Sequence, residues 1–111
     1  MSRPKRPVLR DTRSEKQVEH SGDRAMALLG FSVWRFSQAR ATMQSPGIPD
    51  RRYVHIGRKL AIWWEAKSAK GVQSPYQRAF QQECRATREH YVCGTDDVLA
   101  AYVLQLFNAD R

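Results

Sequence analysis

Two acids and a lysine, Asp50, Glu65 and Lys67, are the residues of this chain whose types and spacing could do chemistry together. Glu65 and Lys67 follow the apolar run Leu60-Ala61-Ile62-Trp63-Trp64. On an extended strand, residues two apart share a face. Gly57-Arg58-Lys59 separates two strand-like segments, Arg51 to Ile56 and Leu60 to Ala66, and reads as a hairpin turn. A two-residue loop at Gly57-Arg58 sets Asp50 directly across from Glu65, with side chains roughly 5 Å apart. A three-residue loop would instead set it across from Ala66, and a slip of one residue turns a side chain to the other face. Two carboxylates held that close repel unless one takes a proton or a cation sits between them. Oxygen ligands from Asp50 and Glu65, with the backbone carbonyl of Ala66, suit Mg²⁺ or Mn²⁺ rather than zinc. Such an ion polarises a phosphoryl oxygen and acidifies a bound water. Lys67 can orient or help deprotonate that water and offset charge on the phosphorane. The chemistry indicated is phosphodiester hydrolysis.

The elements that must position these residues are readable at coarse grain. Ser14 followed by Gln17 fits a capping box, and Val18, Gly22, Ala25, Met26 and Leu29 recur at helical spacing, so a helix is expected from Ser14 to Leu29, ended by Gly30. Phe31 to Ser37 reads as a strand and Gln38 to Pro49, with Ser-Pro-Gly and Ile-Pro, as a loop. After the hairpin, Ser74-Pro75 opens a second helix to Ala86, with Tyr76, Ala79, Phe80 and Cys84 facing inward. Glu89 to Cys93 is a short fourth strand. Thr95 then opens a last helix whose first-turn acids Asp96 and Asp97 suit the helix dipole. The order αβββαβα indicates an α/β fold: a small mixed sheet with flanking helices.

At 111 residues and 41% hydrophobic composition the chain has room for one modest core and not for two domains. Its 19 basic and 11 acidic residues leave +8, which points to a polyanion such as nucleic acid as partner. The excess is concentrated: residues 1–16 carry +4 and residues 35–59 carry +5, while the rest nearly cancels. Residues 1–13 are expected to be a basic, flexible tail and residues 14–111 the single domain. No apolar run is long enough to span a membrane, and no secretory signal is visible behind the Arg/Pro-rich start. A soluble, cytoplasmic protein of a bacterial or phage-infected cell is expected, with no membrane partner. Cys84 and Cys93 are read as reduced thiols.

Gly47-Ile48-Pro49-Asp50, fourteen intervening residues, Glu65-Ala66-Lys67, then Gln77 at the start of the next helix resembles the PD-(D/E)xK nuclease signature. More narrowly it resembles the virus-type replication-repair nuclease (VRR-NUC) family, which is similar to Holliday-junction resolvases. The resemblance covers about residues 14–107. It implies a restriction-endonuclease-like core and a Mg²⁺- or Mn²⁺-dependent endonuclease, as in a phage-type stand-alone domain. Asp50 and Glu65 would bind metal, Lys67 would be catalytic and Gln77 would assist. An acid on the first helix would join them: Glu15, because Ser-Glu-Lys-Gln-Val-Glu resembles the family's opening, with Glu19 one turn later as the reserve. Minimal members of the family act as homodimers on branched DNA, so a homodimer and a junction substrate are expected.

Some of these residues have equally ordinary uses. Ser74-Pro75-Tyr76-Gln77 is itself a capping box, so Gln77 serves either the helix start or the site. Glu15 is either a ligand or a solvated first-turn acid. Arg35, Arg40, Arg51, Arg52 and Lys70 border the expected site and could neutralise phosphates. No base-reading cluster is visible, so selection by DNA shape is expected. The competing function is a catalytically inactive nucleic-acid-binding module on the same fold.

Overall fold

The structure is a computed structural model that describes residues 11–36 and 46–109. Its elements are α1 (Glu15–Leu28), β1 (Ser32–Arg35), β2 (Arg51–His55), β3 (Leu60–Ala66), α2 (Pro75–Thr87), β4 (His90–Gly94) and α3 (Asp96–Ala109). This is the expected αβββαβα order. Strands lie in the order β1-β2-β3-β4. The first three form an antiparallel meander, and β4 joins β3 in parallel after the α2 crossover, making the sheet mixed. Both helix starts behave as their sequences indicate: Ser14 and Ser74 each close a reciprocal capping box, with Gln17 and Gln77.

The hairpin register is that of the two-residue loop. Lys59 donates its backbone N–H to the Ile56 carbonyl at 3.1 Å, with Gly57-Arg58 central and Lys59 at φ 55°. Arg51 pairs with Trp64 and His55 with Leu60. One step further along this register, Asp50 draws level with Glu65.

The core lies between the sheet and the pair α1 and α3, where Val18, Met26, Tyr53, Ile62, Trp64, Leu99 and Val103 are fully buried. Helix α2 packs on the opposite face, its Phe80 ring standing edge-on to Trp63 at 5.1 Å. Trp63 and Trp64 thus fill opposite sides of the sheet, as strand alternation requires. Trp64 also donates its indole N–H to the Gly94 carbonyl at 3.1 Å.

Gly22 makes the closest approach of α1 to the sheet. A Cβ there would land inside the Trp64 indole, with Cζ2 still only 3.3 Å away. Gly22→Ala would gain about 1 kcal/mol of helix propensity but overpack the core at a typical cost of about 1–3 kcal/mol. A net fall in Tm is expected in thermal melts, and a rise would mean that Trp64 has room to move.

Residues 11–13 correct the expected extent of the tail, whose residues 1–10 lie outside the described ones. Arg13 pairs with Asp96 at 2.7 Å and with Asp11 at 2.9 Å, and Ser21 donates its hydroxyl to Asp96 at 2.7 Å. The segment is docked on the start of α3 by an ion pair spanning 83 positions of sequence. Cys84 and Cys93 are free thiols; Cys84 is buried, which pushes its pKa up to about 11, and Cys93 is half-buried. No helix among the described residues is long and apolar enough to cross a membrane.

Candidate active site

Asp50, Glu65 and Lys67 come together at the end of the β2–β3 hairpin. The Ala66 backbone N–H donates to Asp50 Oδ2 at 3.1 Å, fastening the aspartate to the end of β3. Gly47 brings the preceding loop in: it sits at φ 88°, and a Cβ there would collide with the backbone carbonyl of Tyr76 in the first turn of α2. Pro49 is fully buried behind it. The Gly-x-Pro-Asp run is therefore the device that presses the Asp50 loop against the helix carrying Gln77.

Glu65 is the most enclosed of the set, with its side chain 3% exposed. Its Oε1 accepts a short hydrogen bond from Gln77 Nε2 and lies 3.7 Å from Lys67 Nζ. Its Oε2 is buried and has no hydrogen-bond partner among the described residues. Such a group is costly unless something binds it. Burial first, and then the neighbouring Asp50 charge, pushes the Glu65 pKa up to about 8, with Lys67 pulling it down. Burial and then the charge of Glu19 raise Asp50 to about 6.

These shifts have a thermodynamic sign. Both groups hold their proton more tightly folded than at their ordinary values of 3.8 and 4.5. Their favourable contribution is complete below those values and is lost as pH climbs through about 6 and about 8. The metal-free protein should therefore lose Tm between about pH 4 and pH 8. Glu65→Gln, which removes the charge and keeps the shape, should raise Tm at pH 8 by several degrees, on the order of 2 kcal/mol. Melts in EDTA across that range check both expectations, and a variant melting below wild type would contradict them.

Gln77 resolves the choice left open by its sequence context by doing both things. Its Oε1 accepts the Ser74 backbone N–H at 2.8 Å, completing the capping box, and its Nε2 reaches Glu65. The helical acids divide the site between them. Glu15, about half exposed, stands 4.0 Å from Lys67 Nζ. Glu19 is 3.5 Å from Arg51 and is the carboxylate that acts most strongly on Asp50. Lys67, 13% exposed, bridges Glu15 and Glu65. Ala66, whose carbonyl is expected among the ligands, is fully buried between Glu65 and Lys67.

The arginines separate by face. Arg51 is not the surface cation expected for phosphates: it is 7% exposed and turned toward α1. Its Nε donates to Asp23 at 3.0 Å, its Nη2 reaches Asp23 and Glu19, and its Nη1 donates to the Asp50 carbonyl at 3.1 Å. Arg35 is well exposed and meets the rim of the same acid, Asp23, at 3.3 Å. Arg52 points to the other face and lies over the Trp63 ring at 4.8 Å. Lys70 is exposed in the loop after Lys67, and Arg40 lies outside the described residues. Asp23 and Tyr53, whose hydroxyl donates to Asp23 at 2.5 Å, are the supporting residues that sequence reasoning missed. Asp23 occupies a helical position next to the Gly22 stripe, a signal too ordinary to single it out.

Among the described residues no three His, Cys, Asp or Glu side chains close on one point as a ready-made metal cage. The centre consists of two carboxylates, one with an uncommitted buried oxygen, a lysine and an amide. A pair of carboxylates is nevertheless the usual protein share of a magnesium site, where water and phosphate fill the other positions. Comparison with known proteins finds no matching family model, no similar curated protein and no similar solved structure.

Proposed function

We propose that this chain is a metal-dependent endonuclease that hydrolyses DNA phosphodiester bonds and selects branched or junction DNA by its shape. The observation that carries this reading is the meeting of Asp50, Glu65 and Lys67 around a buried carboxylate oxygen that lacks a hydrogen-bond partner among the described residues. Hard oxygens in a partly enclosed, anionic corner fit Mg²⁺ or Mn²⁺. Asp50 and Glu65 would hold the ion, with the Ala66 carbonyl and Glu15 or Glu19 completing the protein's share. When bound, the ion supplies Lewis-acid polarisation of the phosphoryl oxygen and an acidified water.

The chain's own residues do the rest. Gln77 donates its Nε2 amide to Glu65 Oε1 and so fixes that carboxylate. The Ala66 N–H fixes Asp50. Lys67 places its side-chain nitrogen 3.7 Å from Glu65, where it would orient the attacking water and offset charge developing on the phosphorane. The +8 net charge supplies long-range attraction for a polyanion. Paired cuts in a junction need two such centres, which a homodimer would provide. The element order and the Pro-Asp, Glu-x-Lys and Gln positions make VRR-NUC-like the family reading.

Incubation of purified protein with branched, flapped and linear DNA in Mg²⁺, Mn²⁺ or EDTA tests the proposal. Metal-dependent cutting with preference for branched DNA is expected. Binding without cutting of any substrate would make the chain a nucleic-acid-binding module on the same fold.

A further inference from the structure

The sheet face that carries Asp50 and Glu65 bears a second row of side chains one same-face step away. Trp34 on β1 pairs with Arg52 on β2, Arg52 with Trp63 on β3, and Trp63 with Tyr91 on β4. Register partners point to the same side of a sheet, so these four form a ladder across it. The neighbouring row contains Phe36, whose N–H donates to the Asp50 carbonyl at 2.9 Å, then Asp50, Glu65 and Cys93. Helix α2 covers the far end of the ladder, with Phe80 against Trp63 and Tyr91. At the near end Trp34 is 64% exposed on the edge strand. Arg52, its cross-strand neighbour, is stacked on Trp63 and so held beside it. An exposed indole flanked by a fixed guanidinium matches the chemistry of nucleic-acid bases joined by phosphates.

We propose that Trp34, with Arg52, is a stacking platform for an unpaired base of a DNA strand whose phosphate lies at the Asp50–Glu65 centre. This deepens the nuclease reading and rests on it for the position of the strand. Two residues along a strand and one strand across separate the Trp34 position from that of Asp50, a span of about 8 Å. That reach covers a nucleotide or two beside the scissile linkage. The platform makes single-stranded character next to the cut the feature recognised, which fully paired linear DNA lacks.

The test measures binding without cleavage. Fluorescence anisotropy in EDTA compares a labelled duplex carrying a single-stranded overhang with the same duplex made blunt. Wild type should favour the overhang, and Trp34→Ala should weaken that complex about tenfold or more, since base–aromatic stacking is of that size. Trp34→Phe, which keeps an aromatic face, should retain most of the affinity. Leu28→Ala, 89% exposed at the other end of α1, should leave binding unchanged. Equal losses on overhang and blunt DNA, or a Trp34→Ala variant binding the overhang as wild type does, would overturn the platform. Selective loss in a protein that cuts no substrate would keep the platform and reject the nuclease. Cleavage abolished by Asp50→Asn alongside wild-type binding by Trp34→Ala would do the reverse.

Discussion

Asp50→Asn and Lys67→Ala should each lower the proposed metal-dependent cleavage of branched DNA by about a thousandfold, the size expected when a charge-stabilising or proton-handling group is removed. The two lose activity for different reasons. The asparagine oxygen of Asp50→Asn can still accept the Ala66 N–H, so the hairpin end keeps its shape while one proposed anionic metal ligand is lost. Its Tm should hold or rise, because burial and the Glu19 charge no longer act against an ionised carboxylate there. Lys67→Ala instead leaves Glu65 without its nearby cation and should weaken catalysis with Mg²⁺ still bound, read as a Tm gain on metal addition. Lys70→Ala, in the exposed loop beyond, should cost several-fold in DNA affinity at most. Wild-type cutting rates in both Asp50→Asn and Lys67→Ala would place the chemistry elsewhere.

Asp23→Ala should damage the fold strongly, at about 3–5 kcal/mol, because it removes the main partner of a buried guanidinium. The side chains of Asp23 and Arg51 are 12% and 8% exposed and meet at 3.0 Å, and the Tyr53 hydroxyl donates to Asp23 as well. Burial pushes the Asp23 pKa up, but the hydrogen bonds from Arg51 and Tyr53 outweigh it and hold the carboxylate below its ordinary 3.8. This stabilisation is therefore present above that value and is lost as pH falls below it, through the lower value of the folded state. Removing both partners should hurt less than removing one, since no orphan charge remains. Chemical denaturation of Asp23→Ala, Arg51→Met and the double variant makes the comparison. A double variant as unstable as the sum of the singles would show that the pair is not coupled.

What could be read from the sequence was mostly what short range decides. The Asp50–Glu65 pairing followed from a turn of two residues and a period of two, both local properties. The capping boxes were equally local. Arg51 was misplaced because its neighbour Asp50 drew attention to one face of the strand, while alternation sends position 51 to the other. Its partner Asp23 lies 28 residues earlier on a helix, and nothing in the spacing marks the two as a pair. The Arg13–Asp96 clamp joins residues still further apart. Gln77 was legible as a cap and as a site residue, but only three-dimensional placement shows one amide reaching both ways.

Asp50, Glu65 and Lys67 lie on a continuous stretch closed by the turn at Gly57-Arg58. Closing so small a loop costs little entropy and is fast compared with docking distant segments. The register that sets Asp50 level with Glu65 is thus decided by nearby chain, while Gln77 of α2 and Glu15 and Glu19 of α1 supply the side-chain contacts around it.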